Sequence, residues 1–308
     1  MAARAARAVL AMVAVLATAE AAAAPDRPLH RLALQRWGEN DGLPQARVRA
    51  LAQDADGYLW LGTDGGVVRF DGARFDAFTP EATRQAIGTR AIRTLLVDGG
   101  GRLWVGTHGE GALSVREGGV FRSLRGTADL RGSAIIAMTA ARDGSLWFGS
   151  WSGAMHLVGT TWSSVGVEIG LPDAPVFGIA EGTDGTMWFG TWTGLHRVRA
   201  GRAERVSLPG VSGDLPIRAV ALDPAGVLWL GTIDAGLIGV ELGDGGDVRQ
   251  VVRIGESDGL PHRTVEALLV DRAGALWIGT RGGLARRSGG RLEAAPPGPS
   301  YLRSPIEA

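Results

Sequence analysis

Three arginines and one glutamate stand at matched places in a repeating sequence. Counting back eleven residues from six periodic tryptophans gives Arg49, Arg93, Ile136, Phe177, Arg218 and Glu266. A guanidinium offers a planar fork of donors that suits carboxylates and neighbouring hydroxyls, so these positions read as recognition chemistry rather than bond making. A second variable set follows a repeated Gly-Thr or Gly-Ser pair and holds Asp64, His108, Trp151, Trp192, Asp234 and Arg281. Trp151 and Trp192 fall outside the periodic tryptophan position and beside glycine-containing turns. Flat rings next to a cleft suit the faces of sugars. The candidate ligand-binding residues are therefore Arg49, Arg93, His108, Trp151, Trp192, Arg218, Asp234, Glu266 and Arg281. Arg47, Arg90 and Arg263 lie in loops leading to the same face. The competing readings are a solvated channel or an ion pair between neighbouring repeats for the arginines, and rim packing for the two tryptophans.

Catalysis finds little support in the same residues. The histidines are His30, His108, His156, His196 and His262, and no two have the i, i+4 spacing of a zinc helix. A G-x-S-x-G elbow is missing too. His156 and His196 occupy strand positions and read as structural, which leaves His108 and His262 near the candidate face. Asp54 with Asp56 begins like a calcium loop but lacks the remaining spacing and the glutamate, so a turn is expected there. The chain has no cysteine, which excludes disulfides, thiolate zinc sites and thiol nucleophiles. No metal or cofactor is expected. Its 32 basic and 32 acidic side chains cancel, with none of the basic excess of a nucleic-acid binder.

The elements that must position these groups come from one unit written six times. The segment Gly57-Tyr58-Leu59-Trp60-Leu61-Gly62-Thr63 recurs, with variation, at 101–107, 144–150, 185–191, 226–232 and 274–280. Its tryptophans, 60, 104, 147, 188, 229 and 277, are 44, 43, 41, 41 and 48 residues apart. A fixed period of this size marks a repeat architecture, and it fits four short strands plus turns. Twelve and nine residues before each tryptophan stand aliphatic residues or methionine, such as Val48 with Leu51 and Ile135 with Met138. Ten before come Ala50, Thr94, Ala137, Gly178, Ala219 and Ala267, all small enough for crowding at an axis. The second strand is the Trp-containing segment, a third runs through Val67 to Phe70 and its equivalents, and the fourth is the most variable. No helical period follows the N-terminus. The expectation is an all-β fold, a β-propeller of six complete four-stranded repeats, with the periodic tryptophans as core.

The ends of the chain differ from this body. Arg4 and Arg7 precede an apolar stretch from Ala8 to Ala19 and a small-residue run from Ala21 to Ala24. This pattern reads as a signal peptide over residues 1–24, cleaved near Ala23, and places the mature protein in the periplasm or outside the cell. The propeller is expected over residues 31–295 and a proline-rich tail over 296–308. No later apolar run is long enough to cross a bilayer, so no transmembrane span is expected in the mature chain. Arg31 to Trp37 look like the outer strand of a repeat whose other strands are missing ahead of them. Either they close the ring on the last sheet, or Arg291 to Ala295 fill that place and the six repeats are part of a seven-bladed ring.

These motifs resemble the two-component regulator propeller repeats, whose pattern is G-L-P-x3-V-x5-D-x2-G-x-L-W-x-G-T-x2-G-L-x-R. The first copy reads Gly42-Leu43-Pro44, Val48, Asp54, Gly57, Leu59-Trp60 and Gly62-Thr63, then Gly66 and Arg69. The sixth reads Gly259-Leu260-Pro261, Val265, Asp271, Gly274, Leu276-Trp277, Gly279-Thr280 and Gly283-Leu284, with Arg287 one place beyond the expected arginine. The resemblance covers residues 37 to 290. It implies an exported, non-catalytic sensor module that binds a small-molecule ligand, often a carbohydrate fragment, and signals through a membrane-bound histidine kinase or diguanylate cyclase. The chain departs from that layout in carrying neither membrane span nor kinase sequence after its sixth copy. Two other readings share the repeat core. One is a propeller lyase resembling the streptogramin lyases, which use a histidine base with magnesium and would pair His108 or His262 with Glu110 or Glu266. The other is a protein-interaction scaffold.

Overall fold

The computed structural model describes Leu29, Gln35 and residues 37–79, 81–83, 86–89, 91–108, 113–124, 134–211 and 213–295. The expected signal peptide, most of Arg31 to Trp37, Arg90, Glu110 and the proline-rich tail lie outside the described residues. Twenty-four strands form six four-stranded antiparallel sheets, each a meander of consecutive strands, arranged as blades around a common axis. Blade one holds β1 (Val48–Gln53), β2 (Leu59–Thr63), β3 (Gly66–Phe70) and β4 (Phe75–Phe78). Blade two holds β5 (Ile92–Val97), β6 (Leu103–Thr107), β7 (Leu113–Glu117) and β8 (Val120–Ser123). Blade three holds β9 (Ile135–Ala140), β10 (Leu146–Ser150), β11 (Gly153–Val158) and β12 (Thr161–Val165). Blade four holds β13 (Val176–Glu181), β14 (Met187–Thr191), β15 (Gly194–Arg199) and β16 (Arg202–Arg205). Blade five holds β17 (Ile217–Leu222), β18 (Val227–Thr232), β19 (Leu237–Leu242) and β20 (Val248–Ile254). Blade six holds β21 (Val265–Val270), β22 (Leu276–Thr280), β23 (Gly283–Ser288) and β24 (Arg291–Ala294). The fold is thus the expected β-propeller. The only helical pieces among the described residues are short 3-10 turns.

The D-x2-G-x-L-W pattern has a direct physical meaning. In four blades the aspartate side chain accepts the indole N–H of its own tryptophan: Asp54 from Trp60, Asp98 from Trp104 and Asp223 from Trp229 at 2.8 Å, and Asp271 from Trp277 at 2.7 Å. Its other oxygen accepts backbone N–H groups of the turn, as Asp54 does from Asp56 and Tyr58 at 3.1 and 3.0 Å. One carboxylate therefore caps the hairpin and satisfies a buried indole at once. This is the turn role expected for Asp54. Gly57 completes the reversal at φ 88°. Blades three and four have Ala141 and Gly182 instead of the aspartate, and the buried indole N–H of Trp188 is left without an acceptor.

Packing between blades explains the remaining fixed positions. The tryptophans of the first five blades lie against the next sheet: Trp60 clusters with Ile92, Leu95 and Val105, Trp147 with Val176, Ile179 and Phe189, and Trp229 with Val265, Leu276 and Ile278. Burying such a ring contributes roughly 1.5–3 kcal/mol. The glycine before the threonine allows this approach, because a Cβ on Gly149 would sit 2.6 Å from the Val176 carbonyl oxygen of the following blade. At the axis the small residues are crowded as expected. A Cβ on Gly178 would meet the backbone nitrogen of Val220 at 2.9 Å. Five of the six tryptophans are buried, between 0% and 8% exposed. Trp277 departs from the expectation that all six are core: it is only half-buried, since no seventh sheet covers it among the described residues.

Candidate functional site

Antiparallel pairing puts the loops between second and third strands at the same blade end as the loops that lead into each inner strand. Backbone hydrogen bonds join the two sets there. The N–H of His108 donates to Ala91 O at 3.4 Å, Trp192 to Pro175 O at 3.1 Å, Ile233 to Pro216 O at 3.2 Å and Arg281 to Thr264 O at 3.2 Å. The variable residues of both sets therefore sit on one face, held by the sheets beneath them.

One continuous band of side chains runs across blades three to six on this face. The Phe177 ring meets Trp151 edge-on, with centroids 6.0 Å apart and planes at 86°, and the Trp192 ring lies 6.2 Å from it with planes at 57°. Both tryptophans are open to solvent, 48% and 49% exposed, whereas the five covered periodic ones are buried. The Arg218 guanidinium lies 5.4 Å from the Phe177 centroid and so links the rings to the charged part of the band. Arg218 Nη2 contacts Glu266 Oε2 at 2.7 Å across the boundary between blades five and six, and Arg281 Nε donates to Glu266 Oε1 at 2.7 Å. The Glu266 side chain is 3% exposed, while those of Arg218 and Arg281 are 36% and 53% exposed. The Arg218 contact is an ion pair without hydrogen-bond alignment, for Glu266 Oε2 has no aligned donor. Two guanidiniums share one buried carboxylate, so the band carries a net positive charge with donors facing water.

Blade one carries a separate charged group. Arg49 grips Asp64 with two hydrogen bonds, Nε to Oδ1 at 2.6 Å and Nη2 to Oδ2 at 3.1 Å. Burial raises the Asp64 carboxyl, but the bond and charge of Arg49, with Arg47 and Arg93 beyond it, hold it below the usual carboxylate range. Arg49 is therefore tied to a neighbour in its own blade and Arg218 to one in the next, so the expected ion pair between neighbouring repeats is seen at Arg218, while the pair of Arg49 with Asp64 lies within one repeat. His108 and Asp234 are exposed on the loop face, and the contacts above join neither to the aromatic band. His262 Nδ1 accepts the Thr264 N–H at 2.9 Å. His196 is buried, and that burial pushes its ring below the usual imidazole range, while His156 stacks on Trp147 at 3.8 Å, so both pack within the blades as expected from their strand positions.

The sequence reading overlooked Phe177 as a site residue, although it stood at the right position. Its signal was an aromatic between two loops that each carry a non-periodic tryptophan. Asp64 is joined to the charged groups by Arg49, a contact that repeat spacing alone does not specify. A cleft of about 510 Å³ lies at the opposite end of blades five and six, lined by the turn residues Asp223 and Arg272 and by Arg287 of β23 among others. It shares no residue with the band.

The fold is a β-propeller whose variable loop side chains gather at one end of the blades. Three of its repeats, residues 42–65, 170–193 and 259–282, match the two component regulator propeller family. No curated protein matches the sequence. Among solved structures, the extracellular domain of the putative hybrid two component system BT3049 from B. thetaiotaomicron superimposes with a TM-score of 0.68 at 20% identity, over 79% of this chain and 33% of that one. The extracellular domain of the putative one component system BT4673 from the same organism gives 0.61 at 22%, over 80% and 33%. This chain thus spans about a third of either extracellular domain. A streptogramin B lyase gives 0.64 at 18% identity, over 82% of this chain and 83% of the lyase. At these identities the likeness is one of fold.

Proposed function

We propose that the protein is an exported ligand-binding propeller of the sensor type, non-catalytic itself, which recognises a carbohydrate or a similar polar small molecule on its loop face. The observation that carries this reading is the band from Trp151 through Phe177 and Trp192 to Arg218, Glu266 and Arg281. Half-exposed indoles supply flat apolar surface for sugar C–H faces, and the free guanidinium N–H groups supply paired donors for hydroxyls or a carboxylate. A net positive band beside aromatic rings favours a ligand with acidic character. The family likeness supports placing the protein outside the cytoplasm, with a membrane-bound kinase or cyclase as the partner that reads the bound state. The lyase reading has less support. Glu266 is engaged by two arginines and His262 Nδ1 by a backbone N–H, so neither is poised as the base and acid partner that chemistry would need.

A thermal-shift screen with neutral and uronic-acid oligosaccharides, with and without magnesium, tests the proposal. Ligand at 100 times its Kd stabilises a protein by about 2.7 kcal/mol, a shift of several degrees for a domain of this size. Stabilisation by a saccharide independent of magnesium is the expected result. A response that requires magnesium and consumes the ligand would instead favour the lyase.

A further inference from the structure

The cleft at the turn end of blades five and six is built around an arginine that takes an aliphatic place. Register sets Arg287 of β23 opposite Leu276, the residue before its own blade's tryptophan. The same place holds Leu157, Val198 and Val240 in blades three, four and five, and these cluster with Trp104, Trp147 and Trp188 of the blade before. An aliphatic side chain is thus the molecule's ordinary cover for a periodic indole. In blade six a guanidinium takes that role, with its carbon 4.6 Å from the Trp229 ring centroid. Arg116 of blade two does the same to Trp60 at 4.9 Å, but the Phe78 and Phe121 rings flank it at 6.0 and 5.9 Å. Arg287 instead borders open space of about 510 Å³. That is within the range of small-molecule sites, about 300–1,000 Å³.

The charges around this space do not cancel. The acid in its lining is Asp223, and both of its oxygens are committed: Oδ2 accepts the Trp229 indole N–H at 2.8 Å and Oδ1 the Val227 N–H at 2.9 Å. Exposed Arg272, on the turn between β21 and β22, and half-buried Arg287 supply two positive charges. Among the described residues neither guanidinium is bonded to a carboxylate or a carbonyl. One face of Arg287 lies on the Trp229 ring, which fixes its plane and leaves its edge donors for a partner. The remaining walls are short, formed by Pro224, Ala225, Ala273 and the Gly289-Gly290 turn, so the fork stays accessible. Packing alone does not explain the charge, because an aliphatic residue at this place closes three other blade boundaries.

We propose that the cleft is a second binding site, at the opposite end of the blades from the loop-face band, and that it takes a small organic anion whose carboxylate or phosphate group seats on the Arg287 fork beside Arg272. It does not rest on the sensor reading. The test is an isothermal titration of the full chain with citrate and, separately, with inorganic phosphate at constant ionic strength. At least one should bind saturably with a Kd below ~1 mM, and the tighter of the two identifies the group. Arg287→Leu installs the side chain that Leu157 provides in blade three, so it should melt within ~2 °C of the parent. It should bind the anion at least tenfold more weakly. Arg272→Gln should weaken binding about threefold, as befits an exposed charge. The Trp151→Ala, Trp192→Ala double variant should bind the anion as the parent does. In the parent itself, the backbone amide resonances of Ala273, Gly289 and Gly290 should shift during the titration, which reads the site without any variant. Saturable binding of neither anion overturns the proposal. Amide shifts confined to the loop face, or equal affinity in a folded Arg287→Leu variant, overturn it as well.

Discussion

The two ends of each blade follow opposite rules. At the turn end, the same carboxylate clamp on the same indole recurs in four of six blades at 2.7–2.8 Å. At the loop end, equivalent positions hold Asp64, His108, Trp151, Trp192, Ile233 and Arg281, with Asp234 one place further on, and no chemistry is common to all. Repetition at one end and variety at the other come from different demands. The turn end must satisfy one buried donor in each sheet, so one solution serves several times. The loop end repeats a device of its own, a Thr or Ser hydroxyl that donates to a turn glycine carbonyl in five blades, but the side chains just beyond that hydroxyl answer to no demand common to all blades and vary.

Substitutions at the two ends sharpen this contrast, and the largest effect belongs to the blade boundary beneath both. Gly149→Val should lower stability by about 3 kcal/mol or more, because its Cβ would overlap the Val176 carbonyl of the next blade. Denaturant melts followed by circular dichroism would register the loss. Asp98→Ala should remove about 2–3 kcal/mol, since it strips an acceptor from the Trp104 indole and from two backbone N–H groups. The same residue gives a pH signature. Burial raises the Asp98 carboxyl, but the Trp104 and Arg102 bonds outweigh it and hold it below the usual value of 3.8. Its contribution is complete above about that pH and is lost as pH falls through the lower folded value. Asp98→Asn should therefore flatten the acid limb of a melting-temperature profile below pH 4. A profile with an unchanged acid limb would remove the clamp from the account.

At the loop end the effects on stability shrink. Glu266→Ala should cost about 1–2 kcal/mol, kept modest because Arg218 and Arg281 remain partly in water once their shared anion is gone. Trp151→Ala with Trp192→Ala should change stability by less than ~1 kcal/mol, as neither exposed ring fills a core. A loss as large as that of Asp98→Ala would show these rings to be packing elements and erase the distinction between the two ends.

The fold was legible because its determinants are local and repeated: the turn aspartate and glycine, the tryptophan and the glycine before threonine recur within a short window of each copy. The common face was legible too, from strand alternation and the equivalence of loops. The contacts within it were not. Arg218 finds Glu266 in the next blade and Phe177 finds Trp151 from the previous one, and both depend on the rotation between sheets that no single repeat encodes. Trp277 shows the same limit at the level of packing. Its segment is as complete as the others, but its burial depends on a neighbour that the segment itself does not specify.

The central claim is that recognition takes place on the aromatic and arginine band of the loop face. Its most direct test is an isothermal titration of a stabilising oligosaccharide into the parent chain and into the Trp151→Ala, Trp192→Ala double variant. The account predicts saturable binding to the parent and at least a tenfold weaker Kd for the variant at equal folded content. Equal affinity for the two proteins would contradict it and place recognition elsewhere on the propeller.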